Sequence, residues 1–212
     1  MGRNKKDSLT AFHKSSIIDA AKELFQTKGF DGTSMDDIAK KADYSKSTIY
    51  VYFESKDEIY HSILCEYMAL LRDTLDSTIR STEEFEECYF ALCKNIAEFQ
   101  EKYPAFYEGL LGQIDVPGRE PNHVIEEIYR VGEEINRIIG SLLQRGIDGD
   151  FIRTDIEILP TVFYLWSAIS GIVSMAGKKK QYFQARMGLN KQDYLDYSFR
   201  TLLRSITKRE SD

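Results

Sequence analysis

Thr33-Ser34-Met35-Asp36-Asp37-Ile38-Ala39-Lys40-Lys41-Ala42-Asp43-Tyr44-Ser45-Lys46-Ser47-Thr48-Ile49-Tyr50-Val51-Tyr52-Phe53-Glu54-Ser55-Lys56-Asp57-Glu58 holds three helix starts in 26 residues. Ser34 precedes Asp37, Ser45 precedes Thr48, and Ser55 precedes Glu58 by three positions each. At that spacing a hydroxyl satisfies an orphan amide of the first turn while the later side chain reaches back. Met35, Ile38, Ala39 and Ala42 then recur as one face of a short helix. Only Asp43-Tyr44 separates it from the next start, so the two helices must cross steeply, as in a helix-turn-helix.

On a wheel of about 100° per residue, Ile49, Tyr52 and Phe53 share one side of the second helix. Ser47 and Val51 point the other way, flanked by Lys46, Thr48 and Tyr50. This outward face is short, polar and cationic. Its hydroxyls can bond base edges or phosphates, Lys46 can reach guanine or phosphate, and Val51 can touch a thymine methyl. A solvated surface helix is the blander alternative. Ser34, Ser45, Tyr52 and Lys56 are placed to fix the head on phosphates, Lys56 with help from the positive end of the helix it opens.

Leu24-Phe25, Gly29-Phe30, Thr33-Ser34, Ile38-Ala39, Ser45-Lys46, Thr48-Ile49-Tyr50, Tyr52-Phe53 and Ser55-Lys56 follow one another in an order that resembles the amino-terminal domain of the tetracycline-repressor (TetR) family. The resemblance covers about the first quarter of the chain; beyond it only length and helical character are similar. Asp43 stands where the family usually has a turn glycine, a place where Asp tolerates the left-handed conformation. Ser47 replaces a common Gly or Ala.

The 212 residues are 42% hydrophobic, enough for a real core, and carry a net charge of −6. Residues 1–60 hold ten basic and ten acidic side chains, so the acidity belongs to the remainder. A neutral head still binds DNA if its lysines gather on one face. Cys65, Cys88 and Cys93 lack zinc or redox spacing, and His13, His61 and His123 are scattered, which predicts a reduced, metal-free protein without cofactors. No apolar amino-terminal segment suggests secretion, and the expected location is cytoplasmic.

Arg3, Lys5 and Lys6 sit in a short arm without hydrophobic pattern, expected to be mobile in the free protein and to serve solubility or reach into a neighbouring minor groove. Ile17, Ile18, Ala21, Leu24 and Phe25 make the stripe of a first helix ended by Gly29. A long helix runs from Ser55 to about Ser81. Helices follow at about Thr82–Lys102 and Phe106–Leu111, then the loop Asp115-Val116-Pro117-Gly118, then a long helix from about Asn122 closed by Gly146. Residues 158–177 carry no charge, long enough to span a bilayer, yet Pro160, Thr161, three serines and two glycines favour a buried helix and no membrane. Its bulky stripe (Val162, Leu165, Trp166, Ile169, Ile172, Val173, Ala176) predicts packing on its own core. Its small residues Ser167, Ser170, Gly171 and Ser174 predict approach by a second subunit. The basic aromatic segment Lys178–Gly188 precedes a last helix of about 190–208, which includes Leu202.

The expectation is an all-α chain of about nine helices: a helix-turn-helix DNA-binding head at 1–54 and a helical effector-binding and dimerisation body at 55–212. No glycine-rich phosphate loop, nucleophile elbow or metal-binding helix pair is present, so no enzyme is expected. Tyr89, Cys93, Phe99, Tyr103, Phe106, Tyr107, Tyr129 and Trp166 either fill an ordinary helical core or line a small-molecule pocket. The family resemblance implies that some of them line an effector cavity. It also implies a homodimeric regulator, a repressor of a near-palindromic double-stranded operator, with the last two long helices pairing in a four-helix bundle. The alternatives are a small-molecule-binding helical protein without DNA function and a membrane-anchored one.

Overall fold

Each of the three hydroxyl starts is used. The computed structural model describes residues 2–111 and 123–208, with side chains from residue 7 onward except that of residue 110. Among them it has ten helices and no strand beyond an isolated Ile152↔Thr207 bridge. In order these are α1 (Gly2–Lys28), α2 (Met35–Lys41), α3 (Lys46–Tyr52), α4 (Lys56–Ser81), α5 (Phe85–Lys102), α6 (Pro104–Leu111), α7 (His123–Asp148), α8 (Ile158–Lys178), α9 (Lys180–Met187) and α10 (Lys191–Arg204). The predicted loop at 115–118 lies outside the described residues.

The chain packs as two compact units, residues 1–69 with 105–131 and residues 70–104 with 132–212. In the first, α1 packs on α2 and α3 around Ile17, Ala21, Phe25, Ile38, Ile49 and Phe53, all buried. Burying each large apolar side chain is worth about 1.5–3 kcal/mol, so this small core needs each of them. Asp43 adopts φ 60, which lets a two-residue turn reverse the chain, as expected of an Asp at a glycine position. Phe25, Phe30, Tyr60 and Phe106 meet ring on ring, bringing α6 into this unit. Gly109 makes that approach possible, because a Cβ there would lie 2.3 Å from the Tyr60 hydroxyl.

In the second unit α8 packs on α5, α9 and α10. Val162, Leu165, Trp166, Ile169, Val173 and Ala176 are buried and Ile172 is half-buried, so most of the bulky stripe faces its own core as predicted. Arg145 of α7 donates to the carbonyls of Ile79 (3.2 Å) and Thr82 (3.0 Å), holding the carboxyl end of α4 with a cation where the helix dipole is negative.

Three local readings are corrected. Gly146 does not close α7, which continues to Asp148. It lies at a close approach, where a Cβ would meet Phe85 and Ile152 at 2.6 and 2.7 Å, and Asp150 takes the left-handed turn at φ 68. The amino-terminal arm is continuous helix from Gly2, built from residues with adequate helix propensity although no apolar stripe marks it. The basic aromatic segment is a tenth helix, α9, closed by Gly188 at φ 68.

Candidate nucleic-acid interface

The helix-turn-helix presents α3 as the wheel requires. Ile49 and Phe53 are buried while Lys46, Ser47, Tyr50 and Val51 are exposed, Val51 to 76%. Among the described residues no other large apolar side chain is so exposed. Thr48 and Tyr52 are half-buried at the edge of the face. Ser45 caps α3 by accepting from the Thr48 amide at 3.1 Å, and its hydroxyl also meets those of Ser47 (2.8 Å) and Thr48 (2.7 Å). A short hydroxyl cluster therefore sits where a phosphate would approach a helix start.

Ser34 and Asp37 form a complete capping box at the start of α2. Asp37 accepts from the Ser34 hydroxyl (2.6 Å), the Ser34 amide (3.0 Å) and Lys28 (3.0 Å), which together hold its carboxyl well below the usual carboxylate range. Lys46 pairs with Asp36 at 2.8 Å, a contact that raises its pKa and must be exchanged for any phosphate or base it takes. Both partners are exposed, so the exchange is cheap.

Lys56 is differently engaged. Its ammonium donates to the carbonyls of Phe30 (2.8 Å) and Thr33 (2.9 Å) and lies 4.1 Å from the centroid of the Phe30 ring. In this structure it ties the start of α4 to the connection between α1 and α2. Sequence reading also missed His13, whose Nδ1 meets the Tyr44 hydroxyl at 2.7 Å and whose ring lies 5.5 Å from that of Tyr52. His13 thus braces the turn and the edge of α3 from 31 residues away; no local spacing signals such a contact.

The effector candidates fall in both units. In the first, Phe106 and Tyr107 are 1% exposed, and Tyr129 is exposed. In the second, Tyr89, Cys93, Phe99 and Trp166 are buried, and Tyr103 stands 5.2 Å from Phe99, ring to ring. Tyr89 donates to the Phe199 carbonyl at 3.2 Å; burial raises its phenol and pushes the neighbouring Cys93 thiol up to about 12. A groove of about 550 Å³ between α5 and α10 is lined by other residues, among them Phe90, Lys94, Gln192 and Arg200.

Of the interface candidates, Ser167 and Gly171 are exposed and a Cβ at Gly171 would meet nothing within 4 Å. Ser174 is half-buried, while Ser170 and Leu202 are buried in their own unit. The structure adds Leu159, Phe163 and Met175, exposed to 52, 54 and 44%. With Ser167 and Gly171 they recur every four residues along one open face of α8.

A helix-turn-helix whose second helix bares a polar, cationic and partly apolar face on an all-helical body defines a DNA-binding regulator. Residues 17–63 match the model of the bacterial regulatory proteins, tetR family. Its helix-turn-helix region is thus that of the TetR family of transcriptional regulators. It is 29% identical over 141 residues, 66% of its length, to the biofilm operon icaADBC HTH-type negative transcriptional regulator IcaR of Staphylococcus aureus (strain Newman), 72% of which is covered. Its fold is similar to that of a TetR/AcrR-family transcriptional regulator from Thermobifida fusca YX-ER1 (TM-score 0.65, 19% identity, covering 90% of this chain and 96% of that one). It is also similar to that of the fatty acid degradation regulator FadR from Bacillus halodurans (TM-score 0.64, 17% identity, 89% and 97%).

Proposed function

We propose that the chain is a cytoplasmic, one-component repressor that binds a palindromic operator as a homodimer and is released by a small apolar or aromatic effector. Residues 1–54 read DNA, and residues 55–212 bind the effector and the second subunit. The observation that carries the reading is the α3 face, where Val51 and Tyr50 stand exposed beside Lys46 and Ser47 while Ile49 anchors the helix beneath them. Lys46, Ser47, Thr48, Tyr50 and Val51 contact base edges. Ser34, Ser45 and Tyr52 contact phosphates, while Lys56, expected from sequence to do the same, stays on the Phe30 and Thr33 carbonyls.

The open ladder Leu159, Phe163, Ser167, Gly171 and Met175 supports a two-fold helix pairing, since apolar side chains flank a smooth centre where two backbones can approach. The buried aromatics of the body support an apolar effector. A coupling of about 1–3 kcal/mol between effector and operator changes affinity some 5- to 150-fold, enough for a switch. Repression is the sign suggested by the relative in Staphylococcus aureus, whose name states negative regulation.

The test is selection of bound duplexes from a random library by the full-length protein. The reading expects enrichment of one inverted repeat with two half-sites about one helical turn apart. Recovery of unrelated sequences would overturn it.

A further inference from the structure

The second unit carries opposite charges at its two ends. Along one end Lys178, Lys179, Lys180 and Arg186 are exposed, and no described carboxylate pairs with any of them. The stretch from 178 to 190 contains no acidic residue, in a chain whose net charge is −6. Tyr182 and Met187 stand exposed to 55% among these cations. Only Phe183 of α9 is buried, stacked on Tyr194 of α10 at 4.2 Å. The helix is thus held by one ring and turns the rest of its side chains outward.

At the other end, Glu83, Glu84, Glu86 and Glu87 are exposed at the start of α5 and have no described cationic partner. Of the cations at this end, Arg80 pairs with Asp76, Lys208 with Asp150 and Arg153 with Asp155, and Arg145 donates to the Ile79 and Thr82 carbonyls. Phe151, half exposed, stacks on Phe85 beside this cluster. Each end therefore pairs unpartnered charge of one sign with an exposed apolar or aromatic group.

The two ends cannot meet within one chain. α5 and α10 run antiparallel, with Lys191 paired to Glu101 at the α9 end and the Tyr89 hydroxyl on the Phe199 carbonyl further along. The Lys208 amide reaches the Phe151 carbonyl at the end where the glutamates lie. The 14 residues of α10 separate the ends by about 21 Å, beyond the reach of facing lysine and glutamate side chains.

We propose that the α8–α9 end of one copy docks on the α5 end of another, a head-to-tail contact between copies of this chain. A contact that uses one end of each copy is heterologous and leaves a free complement on each. It adds copies in series instead of closing into a pair. Several exposed charges acting together orient the encounter, and Tyr182, Met187 and Phe151 supply the area from which water is removed. Such a contact is weak in dilute solution and strengthened when copies are brought side by side, as on neighbouring binding sites.

The test is sedimentation velocity of the full chain at about 0.1 M and about 1 M salt, where the Debye length falls from about 10 Å to about 3 Å. The weight-average mass at high protein concentration should at least double on going to low salt. The readout is relative to the chain's own high-salt state and is independent of whether that state is a monomer or a dimer. Lys178→Glu/Lys179→Glu/Lys180→Glu should abolish the increase, as should Glu83→Lys/Glu84→Lys/Glu86→Lys. Mixing the two variants should restore it, because one then has two acidic ends and the other two basic ends. Restoration in the mixture also shows that neither variant has misfolded. A mass independent of salt, or two variants that fail to rescue one another, would overturn the proposal. So would a basic end that binds only random duplex DNA or anionic vesicles while the chain itself stays monodisperse.

Discussion

Replacing Lys56 by Met should loosen the head without touching its DNA-reading face. Met keeps the apolar stem and removes the ammonium that the carbonyls of Phe30 and Thr33 share at 2.8 and 2.9 Å. A hydrogen bond to a charged group is worth about 1.5–3 kcal/mol net. Two such bonds are not additive at one half-buried ammonium, and the Phe30 carbonyl keeps a second donor, the Thr33 amide at 3.2 Å. The cation over the Phe30 ring adds about 0.5–1 kcal/mol. The total comes to about 2–3 kcal/mol, which should raise amide hydrogen exchange of α2 and the end of α1 by about 30- to 150-fold. The same variant should keep the salt slope of DNA binding. If exchange stays within about twofold of the native chain while the salt slope falls by about one counterion, Lys56 is a phosphate ligand and the structural argument fails.

Tyr89→Phe removes a buried hydroxyl from the Phe199 carbonyl and should cost about 1 kcal/mol in denaturant unfolding with no loss of DNA affinity; an unchanged midpoint would show the bond contributes nothing. Asp37 has a carboxyl held below its unfolded value, so its folded form binds fewer protons. Its stabilisation is complete above the unfolded pKa of about 3.9 and is lost as pH falls through the depressed folded value. The melting-temperature gap between the native chain and Asp37→Asn should therefore be constant near neutrality and close below about pH 4, and a gap that widens in acid would contradict the capping box. Phe163→Glu puts a charge on the open face of α8 and should halve the mass measured by light scattering at high salt; an unchanged mass would remove α8 from the subunit interface.

The head was legible because its signals are local. Capping pairs at i and i+3, a turn residue able to take φ 60, and a wheel that separates Ile49 from Val51 all lie within a few residues of one another. The bulky stripe of α8 was legible for the same reason. What escaped needed distance information. His13 meets Tyr44 across 31 positions, and Lys56 meets Phe30 across 26. α9 has a single buried residue, Phe183, so no periodic stripe announced a helix. Gly146 reads as a helix stop, yet its partner, Phe85, is 61 residues away. On α8, composition picked out small residues, whereas on the open face larger ones flank a small centre: Leu159, Phe163 and Met175 are exposed along with Ser167 and Gly171. The body aromatics could not be sorted because core walls and pocket walls use the same side chains.

The most direct measurement is binding of the full chain to the DNA upstream of its own coding sequence across a salt series, alongside Lys46→Ala, Tyr50→Ala and Val51→Glu. The account predicts salt-sensitive binding to one inverted repeat. Tyr50→Ala should weaken it by about 5- to 150-fold there and little on random duplex, and Lys46→Ala should lower the salt slope by about one. Val51→Glu should abolish it by placing a carboxylate against the groove. Equal affinity for repeat and random DNA, unmoved by all three substitutions, would contradict α3 as the reading helix.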